Sequence, residues 1–350
     1  MPALPTEVLH EILLILPTPF QRAKMTRVCR RFNDIAAPIL YRDINLGTLE
    51  RARRCCDTLL DGPPAHADYV RSFVIFPIYS CRRDHPNDMI NYSRLSQALR
   101  IMPRLGHLHL WIPAEDDRLF WNFDSLDIPN LRRFGINQPG FRSEAILSKF
   151  LARHAALTHL EIIRPFKLLE IDPKFAAKVR LPQLQSYRGS ATYFMRLVVA
   201  KGCLTHAEFW DIPGETDLHG LFVYLSAAMN PNVPFSLKLL SDVLTVELLL
   251  ALSRWLPNIQ TLELGPFTGL AFSVYHWERH LVKVLEPLKH LIVFNISSGC
   301  NVHNNRTVYR PWLQELASVR EWGECCPSLK VSRIHDREWV RAEDGAWITL

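Results

Sequence analysis

Pro103-Arg104-Leu105-Gly106-His107-Leu108-His109-Leu110 carries a phrase that recurs along most of this 350-residue chain. It runs: an apolar residue, two others, an apolar, one other, an apolar. Copies stand at Val70-x-x-Phe73-x-Ile75, Leu131-x-x-Phe134-x-Ile136, Leu157-x-x-Leu160-x-Ile162, Ile259-x-x-Leu262-x-Leu264 and Leu288-x-x-Leu291-x-Val293. Fainter ones start at Leu184, Leu204 and Leu329, and Phe235, Leu237 and Leu239 hold a distorted one. A proline stands two residues before the first apolar position at Pro103, Pro129, Pro182, Pro257 and Pro327. From Leu105 to Leu184 the offsets are 26, 26 and 27 residues. Apolar residues at every second place predict a short strand with one buried face.

Between the copies, residues 93–101, 143–154, 216–229, 245–255 and 273–285 show helical apolar spacing. A strand followed by a return segment, repeated at 20 to about 40 residues, resembles the leucine-rich repeat, in which each unit buries its apolar face against its neighbours. A doubly wound sheet would also alternate helix and strand, but it has no reason to repeat the phrase. Pro311 opens a further helix with Trp312, Leu313, Leu316 and Val319 on one face. Glu338 to Arg341 and Ala346 to Thr349 flank Glu343-Asp344-Gly345, a hairpin signal. Both read as a C-terminal cap.

The first forty residues differ. In LPTEVLHEILLILPTPFQRAKMTRVCRRFNDIAAPILY, residues 4–41, Thr6 is placed to cap a helix with Glu7 in its first turn. Val8, Ile12 and Ile15 form its stripe, widened by Leu9, Leu13 and Leu16. Pro17 and Pro19 stop it. A second helix is predicted from about Phe20 to Ala36, broken near Lys24 and ending before Pro38, with Met25, Val28, Cys29, Phe32 and Ile35 on one face. Helices this short bury too little surface alone, so a partner is expected.

Leu4-Pro5-x-Glu7-Val8-Leu9-x-x-Ile12 followed by Val28-Cys29-Arg30-Arg31-Phe32 strongly resembles the F-box. The whole chain then resembles the leucine-rich-repeat class of F-box proteins, in a divergent form like those of fungi. The fold expected is α/β: a three-helix module over residues 1–45, a helical and looped link over 46–68, and an irregular leucine-rich-repeat-like solenoid with a parallel sheet over 69–350. The resemblance implies a substrate receptor of an SCF-type ubiquitin ligase, with a Skp-family adaptor, and through it a cullin scaffold, as partners. It makes Leu4, Pro5, Val8, Ile12, Val28, Cys29 and Phe32 adaptor-facing or trihelix-core positions. The alternatives are a protein-interaction scaffold whose F-box has degenerated and a metal-dependent enzyme.

Composition bounds these readings. With 48% apolar and 22% charged residues, the chain as a whole is not disordered. No apolar run reaches the ~18 residues of a membrane span, and none has the flanks of a secretory signal. A soluble chain, cytoplasmic or nuclear and without membrane partners, is predicted. The net charge of +6 is too mild to argue for nucleic acid. The eight cysteines include no CxxC pair, which fits free thiols in a reducing compartment. The run Arg51-Ala52-Arg53-Arg54 reads as a solvated helix face.

No nucleophile elbow or P-loop is present. Cys300-x-x-His303 with Cys325 and Cys326 matches no common zinc spacing, so no metal, cofactor or catalytic residue is expected. His107, His159, His206 and His290 share one repeat position and read as polar strand residues. Facing outward with them stand His109, Trp111, Arg133, Asn137, Glu161, Arg188, Glu208, Trp210, Glu263 and Phe294. That mixture suits a protein-binding surface. His109, Trp111, Arg133, Glu161, Arg188, Trp210 and Glu263 are the candidates for holding a target protein, Trp111 and Trp210 as anchors.

Overall fold

A computed structural model describes residues 4–16, 18–76, 92–111, 123–137, 144–163, 179–211, 215–230, 232–241, 245–265, 278–296, 312–334 and 337–350. The chain forms two compact units, residues 1–181 and 182–350.

The first unit opens with three helices, α1 (Thr6–Ile15), α2 (Pro19–Met25) and α3 (Arg30–Arg42). Strand β1 (Asp43–Leu46), helices α4 (Leu49–Asp61) and α5 (Ala65–Tyr69), and strand β2 (Ser72–Ile75) follow. Then come α6 (Tyr92–Arg100), β3 (His107–Leu110), β4 (Arg133–Asn137), α7 (Glu144–Arg153), β5 (His159–Ile163) and β6 (Val179–Leu181). β1 to β5 pair in parallel and in chain order. Phe73, Leu108, Phe134 and Leu160 share one rung, and Ile75, Leu110, Ile136 and Ile162 another. All eight are buried. Behind them Phe150 packs against Phe123 and Phe134, at ring distances of 5.0 and 4.9 Å.

The second unit contains β7 (Ser186–Ser190), α8 (Ala191–Phe194), β8 (Leu197–Val199), β9 (His206–Asp211), α9 (Glu215–Ala228), β10 (Phe235–Leu240), α10 (Val246–Trp255), β11 (Ile259–Gly265), α11 (Glu278–Leu285) and β12 (Val293–Ile296). It ends with α12 (Trp312–Cys325), β13 (Val331–Ile334), β14 (Arg337–Arg341) and β15 (Trp347–Thr349). β7, β9, β10, β11, β12 and β13 form a parallel sheet. β14 and β15 extend it as the antiparallel hairpin that Asp344-Gly345 signals, with Gly345 at φ +85°. The repeat-like α/β architecture read from the sequence is therefore present in both units.

Most of the repeats begin in the same way. The first apolar residue donates its N–H to the carbonyl three residues back: Leu105 to Met102, Leu131 to Ile128, Leu157 to His154, Ile259 to Leu256, Leu291 to Leu288 and Leu329 to Cys326. In this turn Pro103, Pro129, Pro257 and Pro327 occupy the second place, where a fixed φ of about −65° is already correct. The periodic prolines are thus turn residues. The next carbonyl often serves two rungs: Arg71 O accepts from Gly106 and His107, and Arg132 O from Thr158 and His159.

This pattern corrects one repeat. Leu288 opens the turn, and Leu291 is the first apolar position, so the phrase reads Leu291-x-x-Phe294-x-Ile296. Phe294 pairs with Leu262 and Ile296 with Leu264. Phe294, expected on the outer face, is fully buried against Trp322 at 5.2 Å. His290 is an exposed turn residue and not a strand position. The error arose because Leu288 and Leu291 are both buried and three apart, so the phrase fits at either offset.

Other readings shift as well. The segment predicted from Phe20 to Ala36 is two helices, and α3 runs on through Pro38. Proline removes an N–H that would bond the Asp34 carbonyl, at a cost of about 3 kcal/mol. The last turn repays this by packing: Tyr41 stacks on His66 of α5 at 4.2 Å. Residues 46–68, read as a link, belong to the first unit's core, because Leu49, Ala52, Cys56 and Leu59 of α4 are buried. On α12 Leu313 is 61% exposed, and the inward face carries Val319, Trp322 and Glu315, whose carboxylate lies 3.2 Å from Arg337. Asn137 is buried.

His154 occupies the turn position otherwise held by Met102, Ile128, Leu256, Leu288 and Cys326. Its Nε2 accepts the Ile128 N–H at 3.0 Å, and Nδ1 lies 2.7 Å from the Phe150 carbonyl. The ring must be neutral to accept at Nε2. Desolvation lowers its pKa, opposed by the Phe150 carbonyl and Asp127. The unfolded chain therefore binds protons more readily, and stability is lost as pH falls below about 6.5. His154→Leu is expected to cost about 1–3 kcal/mol at pH 7 by orphaning the Ile128 N–H. Urea titrations between pH 7 and 5 should show a flatter slope for the variant. Some slope remains, because burial also lowers His66 and His107.

Candidate functional site

In the N-terminal module α1 and α2 both pack on α3. Helix α1 turns Leu9 and Leu13 inward. The stripe read from the sequence is therefore split: Val8 (41%), Ile12 (37%) and Ile15 remain exposed, as do Leu4 and Val28. Pro5, not Thr6, holds the N-cap place. The Thr6 hydroxyl instead accepts from Arg31 Nη2 of α3 at 3.0 Å. Arg22 of α2 donates through Nε to Leu16 O at 3.1 Å and through Nη2 to Leu14 O at 3.4 Å, closing the C-terminal carbonyls of α1. Thr18 caps α2 by accepting from the Gln21 N–H. These bonds hold the module while its apolar residues stay on the surface.

Of the seven adaptor candidates, Leu4, Pro5, Val8, Ile12, Val28 and Cys29 are exposed, and Phe32 is half-buried. The sequence reading missed Phe20, 67% exposed beneath the Lys24 ammonium at 4.5 Å.

The outward rows of the first unit's sheet are Asp43, Ser72, His107, Arg133 and His159, then Asn45, Val74, His109, Gly135 and Glu161. Ser72 Oγ lies 3.0 Å from His107 Nδ1. The His109 ring lies over Gly135, where a Cβ would come within 2.8 Å of it, and its Nδ1 is 4.0 Å from Glu161 Oε2. Glycine is required there for that close approach. Phe76, exposed and missed from sequence, meets Trp111 edge-on at 4.7 Å and His109 at 6.3 Å. His109, Trp111 and Glu161 thus stand together, and Arg133 projects separately into solvent.

In the second unit the corresponding row is Arg188, Glu208, Lys238 and Glu263, one residue from each of β7, β9, β10 and β11. Its charges alternate and pair: Arg188–Glu208 at 3.0 Å, Glu208–Lys238 at 3.9 Å and Lys238–Glu263 at 2.7 Å. Trp210 Nε1 donates to Glu208 Oε1 at 2.6 Å, and Arg188 lies 4.5 Å over its ring. Arg188, Trp210 and Glu263 therefore belong to one connected face, with Lys238 as the member not read from the sequence.

The described cysteines, Cys29, Cys55, Cys56, Cys203, Cys325 and Cys326, are free thiols. Burial raises Cys55 and Cys325 to about 11 and Cys56 to about 12, so these three are not ready nucleophiles. Among the described residues no three of His, Cys, Asp and Glu cluster as metal ligands, and no helix is long and apolar enough to cross a membrane. Cys300 and His303 lie outside the described residues. On α4, Arg53 pairs with Asp57 at 3.5 Å and Arg54 with Glu50.

Residues 1–47 match the F-box-like family model. No curated protein matches the chain. Among solved structures it is similar to the leucine-rich repeat-containing protein LegL7 from Legionella pneumophila, at 15% identity and a TM-score of 0.44, over 87% of this chain and 92% of that one. It is also similar to a protein from Bacteroides fragilis, at 13% identity and a TM-score of 0.39, over 73% of this chain and 67% of the other.

Proposed function

We propose that this chain, an F-box protein with a leucine-rich-repeat-like region, is a substrate receptor of an SCF-type ubiquitin ligase. One observation carries the reading. In a module matching the F-box-like family, Leu4, Val8, Ile12 and Val28 stay exposed although apolar residues are available to fill the interior. An apolar surface held open by a bonded framework suits a protein partner, here a Skp-family adaptor and through it a cullin. The sheet faces, with Trp111 and Trp210 as aromatic anchors, would hold a target protein.

Catalysis in this reading is positional. The receptor raises the effective concentration of a target lysine near the ubiquitin-transfer machinery and needs no active site or cofactor of its own. A cytoplasmic or nuclear location follows. Co-expression with a Skp-family adaptor tests the proposal: a one-to-one complex on size exclusion that recruits cullin is expected. Elution of the two proteins apart would overturn it and leave the scaffold reading.

A further inference from the structure

The net charge is not shared between the two units. Residues 1–181 hold 26 Lys and Arg against 19 Asp and Glu, and residues 182–350 hold 15 against 16. Part of the excess gathers where the chain enters the first unit's strands. Arg42 precedes β1, Arg71 precedes β2, Arg104 sits in the turn before β3, Arg132 precedes β4 and Arg133 begins it.

The backbone brings these positions side by side. The Arg71 N–H donates to Arg42 O at 2.8 Å, Gly106 to Arg71 O at 2.9 Å, and Arg132 to Gly106 O at 2.8 Å. Neighbouring parallel strands lie ~4.8 Å apart. Arg42, Arg104, Arg132 and Arg133 are exposed. Arg71 is tied to the Asp68 and Val70 carbonyls at 2.7 and 3.1 Å. Desolvation lowers its pKa first, then the charges of Arg104 and Arg42, with Asp68 opposing. The guanidinium groups therefore feel one another.

Among the described residues two carboxylates face this edge: Asp43, 3.8 Å from Arg42, and Asp68 beside Arg71. Among the described residues neither Arg104 nor Arg133 pairs with a carboxylate. The second unit differs at both levels. Its equivalent backbone row is Gln185, Thr205, Gln260, Ile292 and Lys330, with Lys330 the one cation, and its charged row is self-paired.

We propose that this arginine edge binds an Asp/Glu-rich segment of the target protein. The proposal rests on the receptor reading and adds the chemistry of what is received. Planar guanidinium forks take carboxylates in pairs, and several in a row favour an extended acidic peptide. Charge complementarity of this kind sets the on-rate and the partner's identity.

The test is fluorescence anisotropy with the full chain and a labelled peptide of repeated Glu-Ser, against the same peptide with Gln for Glu. At low salt the Glu peptide should bind at least 10-fold tighter. Arg104→Glu with Arg133→Glu should lose at least 10-fold, and the paired Gln substitutions less, with unchanged melting. Equal binding of both peptides, or unchanged binding by the reversed chain, overturns the proposal. So does tighter binding of a phosphoserine peptide or of single-stranded DNA of equal charge. Adaptor co-purification of the reversed chain separates the two readings. Adaptor bound without peptide selectivity refutes the arginine edge alone, and peptide selectivity without adaptor supports the edge while removing the receptor.

Discussion

Val8→Asp with Ile12→Asp is expected to abolish adaptor co-purification while leaving the melting curve within a degree or two of the parent. The two residues lie one turn apart on α1 and are already 41% and 37% exposed, so the change adds carboxylates to solvent in the free chain. In a complex each carboxylate would be buried without a partner, costing about 2–5 kcal/mol. Two such costs correspond to a loss of at least 100-fold in affinity. The control is Leu13→Asp, at a fully buried position on the adjoining, inward side of the same helix. That variant should also lose the adaptor, but with a clear drop in melting temperature. Retained adaptor binding by the double variant would show that the exposed face of α1 is not the docking surface. Point variants are preferable to truncation, because α3, with its buried Ala36 and Ala37, packs on β1 and α5, and removing residues 1–42 would strip that helix from both.

The repeat was legible because its signal is redundant. Three apolar positions, a proline and a helix recur together, so faint copies such as Leu204-x-x-Ala207-x-Phe209 fall in the right register. The module's helices were legible from spacing, but which side of α1 faces inward was not. Val8, Leu9, Ile12, Leu13 and Ile15 spread over an arc of about 160°, wider than one packed neighbour covers. The choice between the two faces is made by α3, through packing and the Arg31–Thr6 bond, which no local pattern encodes. His154 escaped notice for a similar reason. Its role depends on a turn position normally apolar, and a histidine fits there only by accepting the Ile128 N–H. The alternating charges of the second unit were half visible: Arg188, Glu208 and Glu263 stand at equivalent places, but Lys238 lay in a copy too distorted to align. The arginine edge was hidden altogether. Its members are 29, 33 and 28 residues apart from Arg42 to Arg132, at places that are not equivalent within the phrase.

The corrected frame of the late repeat leads to the largest stability effect expected in the second unit. Phe294→Ala should destabilise that unit by about 3–5 kcal/mol, and His290→Ala should change it by no more than about 0.5 kcal/mol. The difference follows from placement. Phe294 is fully buried on the rung shared with Leu262 and Ser332, and its ring meets Trp322, the largest fully buried side chain of α12. Removing the ring leaves a cavity between a strand and a helix that are each already bonded to their neighbours, so collapse into the space is limited. His290 sits exposed in the turn that joins α11 to β12, which is closed by the Leu291 N–H to Leu288 O bond and held by Cys326 and Ser328. Under the alternative frame the ranking reverses: Phe294 becomes an exposed contact whose loss weakens target binding without unfolding, and His290 becomes a strand residue. Urea denaturation of both variants, monitored by tryptophan fluorescence, separates the frames. A silent Phe294→Ala, or a His290→Ala that unfolds the unit, would return the repeat to Leu288 and place Phe294 back on the target-binding face.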